Sequence, residues 1–262
     1  MTDGHRVIEV NNLTVGYNST VVLHDVSFSV SAGEIFVVLG GSGCGKSTLL
    51  KNIIGLYEPI KGEVKINGKK MVSCDEQQQI EILRNFGVTY QEGALFGSMT
   101  LAENVALPLE EFTELSRREI RELVEQKLEL VDLGGFGDYM PSELSGGMKK
   151  RAGVARALAL DPDILFFDEP SAGLDPITSA DLDSLIKRLR DRLGTTIVIV
   201  SHELDSIFSI ADRVVLLDKR IKGIIAQGKP LELLENSSNE WVVDFLSRKG
   251  MKRNMTITRR LS

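Results

Sequence analysis

The chain has 262 residues and a mass of 28.9 kDa, enough for one large apolar core or one core with an inserted subdomain. It is 42% hydrophobic and 26% charged, ordinary globular usage that excludes a disordered chain or a fibre. The formal charge of −6 hides an asymmetry: Arg248, Lys249, Lys252, Arg253, Arg259 and Arg260 form a basic C-terminal tail without an acid. The remaining body is therefore more acidic than the total and does not suit a nucleic-acid surface, whereas the tail reads as a solvated terminus or as a contact for anionic lipid or an acidic partner. Met1–Val10 carries Asp3, His5, Arg6 and Glu9 and lacks the apolar stretch of a secretory leader. The apolar runs, such as Ile35–Leu39 and Ile197–Val200, are the length of strands and not of membrane spans. Cys44 and Cys74 make no disulfide framework, and the histidines lack metal-ligand spacing. A cytosolic protein without a zinc site is expected.

In chain order, Val7–Val15 and Val21–Val30 alternate in hydrophobicity around Gly16 and Tyr17 and predict an antiparallel edge layer. Ile35–Leu39 is apolar throughout, as expected of a parallel strand covered on both faces, and a helix opens near Lys46. Glu63–Ile66 and Gly87–Tyr90 read as further strands. From about Glu92 to Ala159 strand signals give way to helices over Leu101–Leu107, Ser116–Val131 and Ser145–Leu160, punctuated by Gly134, Gly135, Gly137 and Pro141. Strands resume at Ile164–Phe167, Thr196–Val200, Arg213–Leu217 and Ile221–Ala226. After Gly228-Lys229-Pro230 comes a short helix, then a stretch with Trp241 and Phe245 four apart on one helical face, suited to packing on its own domain or on a second subunit. This alternation predicts an α/β fold with a mostly parallel sheet, an antiparallel β edge layer and an inserted α-helical subdomain. The expected division is a core over 1–91 and 160–228, a helical insert over 92–159, and a C-terminal helix with the basic tail over 229–262.

Gly40-Gly41-Ser42-Gly43-Cys44-Gly45-Lys46-Ser47 fits the G-x-x-x-x-G-K-[ST] pattern, directly after an apolar strand and at the start of a helix. Glycines let the backbone curl so that its N–H groups converge on phosphate oxygens, and the helix N-terminus adds positive potential. Gly40 to Thr48 are therefore candidate phosphate contacts, with Lys46 a point charge for the β- and γ-phosphates and the Ser47 hydroxyl suited to Mg²⁺. A second strand, Ile164–Phe167, ends in Asp168-Glu169. Two acids after four apolar residues are costly to bury without a cation. Asp168 is placed to hold Mg²⁺ through water, and Glu169 to activate an attacking water as general base. Lys149-Lys150-Arg151 reads as a solvated helix face. Cys44, inside the phosphate loop, invites oxidation or alkylation that would block the loop.

With these elements in place, Leu144-Ser145-Gly146-Gly147-Met148 resembles the signature motif of ABC-type ATPases. The resemblance runs from about Val7 to Gly228. It implies that Tyr17 stacks on adenine, that Gln91 senses Mg²⁺ and water, that Ser171-Ala172-Gly173-Leu174-Asp175 is the D-loop, and that His202 is the switch histidine. It also implies that ATP and Mg²⁺ are bound and that two copies pair head to tail. Ser145, Gly146 and Gly147 of one copy then close on ATP held by the other, a helix N-terminus serving as a second anion site. The absence of a membrane span implies a separate permease.

Gln91-Glu92-Gly93-Ala94-Leu95-Phe96, Glu103–Leu109 and Met140–Met148 look like the ATPase of Mla/Mce-type phospholipid transporters. That resemblance implies a peripheral subunit on the cytoplasmic face of a bacterial inner membrane, with an Mce-domain lipid-binding partner. Ala94, Leu95 and Phe96 would meet the permease. The alternatives are an importer of a polar solute and a non-transport regulator.

Overall fold

The computed structural model describes residues 5–17, 20–71 and 76–247; the basic tail and Cys74 lie outside them. Two sheets form the body. The strands β1 (Arg6–Tyr17), β2 (Thr20–Ser31), β4 (Lys61–Ile66) and β5 (Lys69–Lys70) make an antiparallel sheet of order β2-β1-β4-β5. The strands β3 (Ile35–Gly40), β6 (Phe86–Thr89), β7 (Ile164–Asp168), β8 (Thr196–Ser201), β9 (Arg213–Asp218) and β10 (Gly223–Gly228) make a second sheet of order β10-β9-β3-β8-β7-β6. It is parallel except for the β9–β10 hairpin. The fold is α/β, with the expected parallel sheet and antiparallel layer.

Because successive strand side chains point to opposite faces, the uniformly apolar strands serve two cores. Phe36, Val38, Phe166, Val198 and Val200 pack against the antiparallel sheet and helix α1 (Lys46–Ile53), while Val37, Leu39, Leu165, Phe167, Ile197 and Ile199 face the helices on the other side. Burying each such side chain contributes on the order of 2 kcal/mol. Helices α3 (Leu101–Phe112), α4 (Arg117–Leu130) and α5 (Gly146–Ala157) lie between β6 and β7 in the chain. Thr100–Glu103 and Ser116–Glu119 capping boxes start the first two, satisfying N–H groups that have no partner within the helix. Leu101, Val105, Ile120, Val124 and Leu128 of this insert join the same apolar core as the sheet.

Among the described residues, β5, α2 (Glu76–Arg84), the short 3-10 turn Pro141–Glu143, α6 (Pro176–Leu193) and α7 (Leu204–Ile210) went unread in the sequence. The longest, α6, is locally specified. Asp175 Oδ1 accepts from the N–H groups of Ile177 and Thr178, Pro176 fills the first helical position, and Gly194 ends the helix at φ 69°. Two strands are displaced from their expected bounds. Tyr90 and Gln91 fall in the turn after β6. Strand β10 begins after Lys222, because Asp218 accepts from the N–H groups of Arg220 and Ile221 and so closes a turn there.

At the chain's end, α8 (Pro230–Asn236) and α9 (Glu240–Leu246) pack on their own chain. Val242 and Leu246 enter the core, and the Trp241 and Phe245 rings lie 5.2 Å apart beside them, with the Arg220 guanidinium 4.9 Å from the indole. No helix of the described residues is long and apolar enough to cross a membrane.

Candidate functional site

Parallel strands all end on one edge of a sheet, and that edge is where ligands gather in open α/β folds. Here Leu39 lies beside Ser201 and Asp168 beside Val200, so the loops after β3, β7 and β8 converge. After β3 the chain turns tightly: a Cβ on Gly40 would sit 2.5 Å from the Cys44 Sγ and 2.8 Å from the Leu217 carbonyl oxygen. Gly45, at φ 101°, precedes the first turn of α1 without a side-chain cap, leaving that turn's N–H groups for a ligand. The Lys46 side chain, only 7% exposed, folds back over the loop; its Nζ donates to the carbonyls of Gly40 (3.0 Å) and Gly41 (3.4 Å). Cys44 is buried in the core between the sheets, and burial pushes its thiol above the ordinary cysteine range. Burial and the raised pKa both disfavour the reactive thiolate at Cys44.

The acids at the end of β7 take separate positions. Asp168 Oδ1 accepts a 3.1 Å hydrogen bond from the Ser47 hydroxyl. Burial, with the Glu169 charge added, pushes the Asp168 carboxyl above the usual aspartate range, against the hydrogen bond from Ser47. Glu169 adopts φ 50°, a left-handed conformation unusual for a side-chain-bearing residue. Its N–H donates to the Val200 carbonyl at 2.8 Å. Its carboxylate lies between two partners, Oε1 at 3.5 Å from Lys46 Nζ and Oε2 at 2.9 Å from His202 Nδ1. Lys46, Glu169 and His202 thus form one chain of polar contacts across three strand ends.

Ser47 and Asp168 together offer one hydroxyl and one carboxylate to a cation, hard oxygen donors in a site whose acid is half-buried and underneutralised. That fits Mg²⁺, which takes few protein ligands and completes its shell with phosphate oxygens and water.

The other candidates sit around this centre at different depths. The Tyr17 hydroxyl hydrogen-bonds Thr48 Oγ1 at 3.0 Å, and its ring meets the edge of Tyr57 while remaining 42% exposed. Ser42 and Gly43 are exposed on the phosphate loop. Gln91 is exposed beyond β6 and makes no hydrogen bond through its side chain among the described residues. Ser145 caps α5, its Oγ accepting from Met148 N–H, and both Ser145 and Gly146 face outward. Gly147 packs so closely against α6 that an added Cβ would lie 2.6 Å from the Thr178 methyl. Asp175 spends its carboxylate on capping α6, which together with the Thr178 hydroxyl holds its pKa below the usual range. Among the described residues no hydrogen bond or ion pair joins Ser145–Gly147 or Asp175 to the Lys46–Glu169–His202 centre of the same chain.

The run Lys149-Lys150-Arg151 is not a solvated face. Lys150 is 9% exposed, and its Nζ donates to the carbonyls of Pro170 (2.5 Å) and Ala172 (2.6 Å) just after Glu169. Arg151 donates to the Val131 carbonyl and pairs with Asp132. One turn on, Arg156 donates to the carbonyls of Gly93 and Ala94, and Asn104, fully buried, bonds the backbone of Phe96, Met99 and Thr100. Nothing in the order of residues distinguishes these cations from surface ones; only the carbonyls they meet do. The loop they support presents Ala94 and the Phe96 ring at a groove of about 450 Å³ shared with Leu83, Leu107 and Phe112, whereas Leu95 packs inward.

The ABC transporter family matches residues 23–172. The probable ribonucleotide transport ATP-binding protein mkl of Mycobacterium tuberculosis is 44% identical over 240 residues, 92% of this chain and 66% of the relative, so the chain spans just under two thirds of that protein. The intermembrane phospholipid transport system ATP-binding protein MlaF of Haemophilus influenzae is 42% identical over 242 residues, 92% of this chain and 90% of that one. Among solved structures, a dimeric ATP-binding cassette in a post-hydrolysis state bound to ADP and Pi superposes with a TM-score of 0.76 at 31% identity, covering 85% of this chain and 98% of that one.

Proposed function

Because this chain belongs to the ABC transporter family, we propose that it is the ATP-hydrolysing subunit of a transporter that moves phospholipid between the inner and outer membranes of a bacterium. The observation that carries the hydrolytic reading is the contact chain Lys46–Glu169–His202, with Ser47 and Asp168 beside it. Lys46 and the loop N–H groups bind the β- and γ-phosphates, and Ser47 and Asp168 would hold Mg²⁺, which would supply positive charge against the negative charge of the phosphates. Glu169 takes the proton from the attacking water, and His202, hydrogen-bonded to it, orients that water and the γ-phosphate. Tyr17 carries the adenine, and Gln91 would contact Mg²⁺ and the attacking water.

In this reading two copies pair head to tail, so that Ser145, Gly146 and Gly147 at the exposed start of α5 meet the phosphates held by the other copy. The dimeric cassette among the similar structures supports the pairing of two copies. The core over 1–91 and 160–228 binds nucleotide, and the insert over 92–159 carries the signature. A permease sits on the Ala94–Phe96 loop and its groove, holding this subunit peripherally on the cytoplasmic face of the inner membrane, with an Mce-domain lipid-binding chain in the same complex.

The two relatives carry different cargo in their names, ribonucleotide and phospholipid. The phospholipid reading is supported by the near-complete length match to the Haemophilus protein and by the runs around Gln91 and Met140. The test is a pull-down of the tagged chain from detergent-solubilised membranes, with mass spectrometry of chains and lipids. A multi-span permease, an Mce-domain chain and bound phospholipid are expected. A permease with a soluble solute-binding protein would retain the ATPase and replace the cargo with a polar solute.

A further inference from the structure

Beyond the residues that touch nucleotide, the buried lysine on α5 has a place in the reaction. Glu169 follows the last residue of β7 in a left-handed conformation, at φ 50°, which persists only where its surroundings hold it. On its N-terminal side the hold is the 2.8 Å bond from its N–H to Val200. On its C-terminal side the chain makes a turn in which Ala172 N–H reaches back to the Glu169 carbonyl at 3.2 Å. Pro170 supplies no N–H, and the Ser171 hydroxyl, 6% exposed, makes no hydrogen bond among the described residues. Gly173 follows at φ 76°. Among the described residues, the Glu169 carboxylate is held by Lys46 and His202, but no side chain after Glu169 in the turn ties the turn's backbone. Lys150 Nζ does so from outside, donating to the carbonyls of Pro170 and Ala172 on either side of Ser171.

The same helix carries Ser145 at its start, and one to two turns beyond Lys150 it meets the loop after Gln91 through Gly153 and Arg156. We propose that Lys150 is a positioning residue for hydrolysis: it ties the Glu169–Ala172 turn to the signature helix, so that the general base is aligned only when that helix is in place. The inference rests on the reading of Glu169 as the base. Burial lowers the Lys150 pKa, with the charges of Glu169 and Glu92 acting in the opposite direction; the geometry makes its Nζ a double donor to two carbonyls.

The test compares the full-length chain with Lys150→Met, Lys150→Arg and Glu169→Gln, measuring the Kd for Mg·ATP together with kcat and KM. With Lys150→Met the Kd and KM are expected to stay within about threefold, while kcat falls about 10- to 100-fold, as for a misplaced catalytic group. Lys150→Arg, which keeps the donors, is expected to recover most of kcat. Should Lys150→Met fail to fold, Lys150→Gln takes its place under the same readouts. A wild-type kcat in Lys150→Met, or a loss of binding in step with kcat, overturns the positioning role while Glu169→Gln remains inactive. A wild-type rate in Glu169→Gln overturns the reading of the base itself.

Discussion

At the end of β3 the glycine-rich loop is enclosed, with Lys46 only 7% exposed and bonded to the loop's own carbonyls. Glu169 and His202 complete it from two neighbouring strands. At the start of α5 the helix N-terminus is open: Ser145 and Gly146 face outward, and among the described residues the Ser145 hydroxyl caps the helix. The first region is finished within one chain and the second is not. A helix N-terminus built of small residues and left without a ligand in its own chain is what a site shared between two copies requires.

The contrast can be broken in order of expected effect. Lys46→Ala removes the charge at the enclosed loop, and Mg·ATP affinity should fall about 100-fold or more, read by fluorescence titration; unchanged affinity would refute the loop assignment. Glu169→Gln keeps the shape of the side chain and removes the base. Turnover should drop by about 10²–10⁴ with binding retained, measured as phosphate release against nucleotide affinity. Gly146→Asp separates the two regions. A Cβ there meets nothing nearer than Leu174 Cδ2 at 3.9 Å, and an acid at the first position of a helix is favourable within its own chain. Thermal stability should therefore hold, while the anion repels phosphate from the other copy and turnover falls about 10²-fold.

The smallest effect concerns stability. Burial raises the Asp168 pKa, so the folded state holds that proton more tightly than the unfolded one, and ionisation above both pKa values costs stability. Asp168→Asn should thus raise Tm at neutral pH in metal-free buffer. The gain should shrink as pH falls toward the ordinary aspartate pKa of about 4. An unchanged or lower Tm at neutral pH, followed by calorimetry, would contradict the cost assigned to that charge.

Much of this architecture is written locally. Ile35–Leu39 and Ile164–Phe167 announce strands covered on both faces, and Gly40–Ser47 and Asp168-Glu169 stand at the ends of such strands. Even α6, unread in the sequence, has its start spelled out by Asp175-Pro176 and its end by Gly194. Other features depend on the partner a residue finds. Lys150 and Arg151 look like a solvated pair until Pro170, Ala172 and Val131 supply carbonyls, and Cys44 looks reactive until the second core covers it. The φ of Glu169 arises from the Val200 bond and the turn that follows, neither of which its neighbours in sequence announce.

The most direct test of the shared site mixes two inactive chains. Glu169→Gln lacks the base but keeps its signature; Gly146→Asp lacks the signature but keeps its base. In a mixed dimer one site receives both defects and the other receives neither. Co-expressed with different tags and purified through both, the mixed dimer should regain about half of the wild-type ATPase rate if its sites act independently. Activity no higher than that of either variant alone would contradict the shared site and return both halves of the chemistry to a single chain.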